Sequence, residues 1–104
     1  MKQGERRIAF RRIAAASLDA SSEFVSRWLP DGRREGAEWV ATNPTRSDKR
    51  RGSFKVNLRT GRWSDFAIDA SGGDLISLAA YLHNISQGRA ALKIAGALGI
   101  DAYE

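Results

Sequence analysis

A chain of 104 residues, 42% apolar and 28% charged, carries enough apolar material for one folded domain and is too short for two. It has no cysteine and a single histidine, His83, which excludes disulfides, thiolate metal sites, thiol nucleophiles and multi-histidine metal sites. Its 17 Lys and Arg outnumber 12 Asp and Glu for a net charge of +5, so an anionic partner is expected. No apolar run approaches the about 20 residues of a membrane span, and no apolar signal-peptide core follows the basic N-terminus, so no membrane partner and a cytoplasmic location are expected.

The N-terminal part, residues 1–32, reads as helical. Phe10, Ile13, Ala14, Ser17 and Leu18 recur at helical spacing, and Phe24, Val25, Trp28 and Leu29 form a second stripe. Asp19, Ser21 and Ser22 supply N-cap chemistry at a break between them, and Pro30-Asp31-Gly32 ends the second helix.

Residues 33–70 change period. Three short runs rich in aromatic and β-branched residues, 38–41, 53–58 and 62–66, read as strands. Phe54, Val56 and Leu58 alternate with Ser53, Lys55 and Asn57, and Arg59-Thr60-Gly61 joins the second and third strands as a hairpin. A polar, basic loop spans 43–52. Residues 33–62 hold nine basic residues against three acidic, a local net charge of +6, while the rest of the chain carries −1.

Residues 71–104 return to helix. Asp74 caps a stretch whose Leu75, Ile76, Leu78, Ala79 and Leu82 face a core. Asn84-Ile85 turns, Ser86 caps a last helix, and Gly99 stops it. The expected fold is a single α+β domain over 1–104, a small three-stranded antiparallel sheet flanked by N-terminal and C-terminal helices.

Catalytic chemistry is weakly supplied. His83 sits at a helix end, where it reads as a solvated or dipole-compensating residue rather than a base. Asp65, Asp69 and Asp74 could hold a divalent cation, but Asp74 reads as an N-cap and Asp69 as a turn residue. Ser71-Gly72-Gly73-Asp74 lacks the Lys-Ser/Thr of a nucleotide-binding loop and reads as a strand-to-helix turn. The chain is therefore not expected to be an enzyme or to hold a cofactor or metal.

The strongest chemical signal is basic residues interleaved with aromatics, as a single nucleic-acid strand requires. The candidate phosphate contacts are Arg46, Lys49, Arg50, Arg51, Lys55 and Arg62, and the candidate stacking rings are Trp39 and Trp63. Phe54 shares a face with Val56 and Leu58 and reads as core.

Four motifs occur in order over about residues 35–100: Asn43-Pro44-Thr45-Arg46, Gly52-Ser53-Phe54-Lys55-Val56-Asn57, Gly61-Arg62-Trp63-Ser64-Asp65-Phe66 and Gly72-Gly73-Asp74-Leu75-Ile76-Ser77-Leu78. In this order, with the closing segment 85–100, the sequence resembles the N-terminal, CHC-type zinc-binding domain of bacterial and phage DNA primases and primase-helicases. Zinc-containing members carry ligand pairs near the first motif and just before the Gly-Gly turn. Those places fall here around Pro44 to Ser47 and around Phe66 and Asp69, so the resemblance is to a degenerate form without zinc, with Phe66 as a packing filler. It implies single-stranded DNA as partner in the replication or priming of a phage or mobile element, beside a primase or helicase subunit. The alternative is a small adaptor or inhibitor that turns its basic face to an acidic protein or nucleoprotein.

Overall fold

A computed structural model describes residues 6–47 and 52–104. Helices α1 (Phe10–Ser17) and α2 (Ser21–Trp28) are joined by one 3-10 turn, Leu18–Ala20. Strands β1 (Arg33–Glu35), β2 (Glu38–Ala41), β3 (Phe54–Asn57), β4 (Trp63–Asp65) and β5 (Ala70–Gly72) follow, and then helices α3 (Leu75–His83) and α4 (Gln87–Leu98). The fold is α+β, and the sheet has five strands rather than three, antiparallel throughout in the order β1-β2-β3-β4-β5. The two added strands are the edges. Each is three residues long, and Arg33–Glu35 is exposed along its whole length, so neither carries an alternating apolar signal.

The expected caps form at α3 and α4. Asp74 accepts the Ser77 amide at 2.8 Å, Ser86 accepts the Arg89 amide at 3.1 Å, and Asn84 and Gly99 end the helices in the left-handed region. The start of α2 differs, because Ala20 is its N-cap and no side chain caps it. The Ser21 hydroxyl instead donates to the Leu58 carbonyl at 2.6 Å, pinning α2 to the end of β3. Phe10, placed by spacing on the buried stripe of α1, is exposed.

Helices α2 and α3 form a middle layer with a core on each side. Val25, Leu29, Leu75 and Leu78 pack with Ala41, Phe54, Val56, Leu58 and Trp63 beneath the sheet. Phe24, Ile76, Ala79 and Ala80 pack with Ile13 and with Ala90, Ala91, Ile94 and Ala95 of α4. This explains why α3 is apolar nearly all round: it is covered on two faces. The segment before α1 meets the one after α4, where an isolated bridge pairs Ile8 with Tyr103 and the Arg12 guanidinium donates to the carbonyls of Asp101 and Tyr103 at 2.9 and 2.8 Å. Among the described residues no helix is long and apolar enough to cross a membrane.

Candidate nucleic-acid interface

Cross-strand register sorts the middle third into two faces. Arg34, Trp39, Val56, Trp63 and Gly72 occupy one row across the sheet, and Val56 and Trp63 fix that row toward the helices. The neighbouring row, Arg33, Val40, Lys55, Ser64 and Ser71, takes the opposite face.

This register revises the expected stacking rings. Trp63 is 5% exposed, its indole N–H donates to the Ser77 hydroxyl at 2.9 Å, and its ring lies 4.8 Å from that of Tyr81 and 6.1 Å from that of Phe54. It is a core residue that reaches the lining of the cleft described below only with the small part of its surface left exposed. Trp39 is half-buried on the same row, and its indole N–H donates to the Leu29 carbonyl at 2.9 Å. A glycine makes room for each indole. A Cβ at Gly32 would come within 2.2 Å of Trp39 Nε1, and one at Gly72 within 2.3 Å of both Trp63 Nε1 and Ser77 Oγ.

The exposed aromatic beside the sheet is Phe66, 72% accessible and therefore not the packing filler expected from the resemblance. It stands just after β4, in a turn that Asp69 completes with φ +56°. On the open face Phe66 borders a cleft of about 680 Å³ with Lys55, Asn57, Arg62, Ser64 and Ser71, and Glu38 supplies its carboxylate. Neither Lys55 nor Arg62 forms an ion pair or a side-chain hydrogen bond among the described residues. The periodicity of 53–58 placed Lys55 on this face correctly. In the sequence Phe66 reads as the end of the strand 62–66 and as a packing filler; β4 ends at Asp65 instead, and the turn that follows carries the ring out to solvent.

Arg46 has a structural task. It donates through Nε and a terminal nitrogen to the fully buried Asp65 carboxylate at 2.9 and 3.2 Å, and to the Ser53 hydroxyl at 3.1 Å. Asn43, itself buried, donates to Asp65 at 2.9 Å and to the Tyr81 hydroxyl at 2.9 Å, while its own Oδ1 accepts the Thr45 amide. The Ala67 amide gives Asp65 another donor at 3.0 Å. The Arg46 bond foremost, with Asn43, Ala67 and Ser53 adding to it against the opposing effect of burial, holds the Asp65 carboxyl well below the ordinary carboxylate range. Arg46 is thus neutralised within the fold rather than presented to phosphate. Lys49, Arg50 and Arg51 lie outside the described residues.

The network joins the 43–46 loop to the end of β4, the two segments where the resemblance would place zinc ligands. An amide, a guanidinium and one carboxylate do not suit zinc, because the cation repels metal, the chain has no cysteine, and its single histidine, His83, packs against Trp28. Among the described residues no three His, Cys, Asp or Glu side chains gather as a metal site would require.

No protein-family profile and no curated protein sequence matches the chain. Among solved structures it is similar to the Aquifex aeolicus primase, crystallised as its zinc-binding and RNA polymerase domains, with a TM-score of 0.76 at 20% identity over 91% of this chain. It spans only 22% of that primase chain. What the two share is therefore a fold, and the fold of this chain is primase-like.

Proposed function

We propose that the chain is a non-catalytic nucleic-acid-binding module, related to the zinc-binding part of primases, that holds single-stranded DNA along the open face of its sheet. The observation that carries the reading is the cleft itself, which sets two cations, Lys55 and Arg62, neither paired within the fold among the described residues, beside the exposed ring of Phe66. Cations at the strand spacing follow a phosphate backbone, and a free ring stacks on unpaired bases of any sequence. Asn57, Ser64 and Ser71 supply neutral hydrogen-bonding groups between them. Lys49, Arg50 and Arg51 extend the positive charge in sequence, and the primase-like fold supports a role beside a primase or helicase subunit in priming.

Fluorescence anisotropy with labelled oligonucleotides over a range of salt separates the two kinds of contact. Lys55→Ala and Arg62→Ala should each flatten the salt dependence by about 0.7 log units per lost phosphate contact. Phe66→Ala should weaken binding by about 1–3 kcal/mol and leave the slope unchanged. Low-salt affinity no better than that of a charge-matched basic control protein would overturn the reading.

A further inference from the structure

On the helical side of the molecule, α2 and α4 leave a groove floored by α3. One end is a cavity of about 120 Å³ lined by Phe24, Arg27, Trp28, Ala79, His83, Lys93, Ile94 and Ala97. A second cavity of about 110 Å³ adjoins it, sharing Phe24, Arg27 and Ala97 and reaching Ala20 and Leu98. The groove exists because α4 presents Ala97 and α3 presents Ala79 where longer side chains would close it. It shares no residue with the cleft on the sheet.

Its chemistry is two-sided. The wall is aromatic, with Phe24 stacked on Trp28 at 5.3 Å and His83 edge-on to Trp28 at 6.0 Å. The rim of the first cavity carries Arg27 and Lys93, both exposed and neither paired with a carboxylate among the described residues, and no acidic side chain lines it. The one carboxylate among the lining residues, Glu23, borders the second cavity one helical turn from Arg27, and leaves Lys93 and the first cavity without an acidic neighbour in the lining. An apolar cavity of about 150 Å³ takes a benzene ring, so each compartment is of side-chain size. Two adjoining compartments fit consecutive apolar side chains of one peptide face, and a cationic rim fits carboxylates beside them.

We propose that this groove docks an acidic, amphipathic segment of a partner protein, with an aromatic or branched side chain beside Trp28 and a carboxylate on Arg27 and Lys93. The proposal goes beyond DNA binding and stands whether or not the sheet face takes DNA.

The probe is a synthetic peptide of about twelve residues in which Asp and Glu alternate with Leu and Phe, followed by amide and indole NMR shifts on the intact chain. Saturable shifts are expected at the Trp28 indole and at residues 24–28 and 93–98, with none at Lys55–Asn57. A peptide with Ser for Leu and Phe should bind at least about tenfold more weakly, as should the Arg27→Glu/Lys93→Glu protein. Ala97→Leu, on an exposed position, should weaken binding by filling the groove without altering charge. Shifts confined to the sheet, equal binding of the Ser peptide, or affinity indifferent to both charge reversal and Ala97→Leu would overturn it.

Discussion

The Asp65 carboxylate is fully buried and held by a guanidinium, an amide and a backbone N–H. Because its carboxyl is depressed in the folded chain, the unfolded chain takes up the proton first as the pH falls. The stability it contributes is complete above the ordinary carboxylate value of about 3.9 and is lost progressively below it. Asp65→Asn should destabilise the fold by about 3 kcal/mol at neutral pH, by removing the buried charge that receives the Arg46 guanidinium, and should flatten the acid limb of stability. Denaturant midpoints of parent and variant between neutral pH and pH about 3 measure both effects. The residue types around this carboxylate are visible in the sequence, but their meeting is not. Asn43 and Asp65 lie 22 positions apart, and only the pairing of β2, β3 and β4 brings them together.

At the level of elements, the sequence reveals whatever is buried or capped and conceals what is exposed. Helices α3 and α4 announce themselves through Asp74, Ser86 and Gly99, and β3 through its alternation. Strands β1 and β5 lie at the edges, where backbone pairing alone defines them, and three residues give no period to read. The faces of Trp39 and Trp63 could not be told from composition, since an aromatic on a short strand suits a core and a binding surface equally. Register decides it, by setting Trp63 opposite Val56 and Gly72. Strand β5 is therefore tied to the core through a glycine. Gly72→Ala should push the Trp63 indole off Ser77 and cost about 2 kcal/mol, the order of an overpacked site, read as a lower denaturation midpoint with altered tryptophan fluorescence. Gly73→Ala, where a Cβ meets nothing within 4 Å, is the matched control.

Across the whole molecule the principal extents are 52 × 24 × 18 Å, an elongated body with the sheet core on one side of the α2 and α3 layer and the α4 core on the other. Two cores on such a body could have behaved as two units. They share α3, whose Leu75 and Leu78 serve the sheet while Ile76, Ala79 and Ala80 serve α4, on consecutive positions of the same two turns. Helix α2 is shared in the same way, with Phe24 in one core and Val25 in the other, so the coupling of the two cores is built into the α2 and α3 layer, and most densely into the nine residues of α3. Native-state hydrogen exchange should give the slowest amides of β3 and of α4 one common opening free energy, unchanged by chelator, since packing and the Asp65 network hold the chain. Polar substitution of Ile76, which belongs to the α4 core, should accordingly accelerate exchange in the distant sheet as much as in its own neighbours: the helix transmits damage as faithfully as it transmits stability.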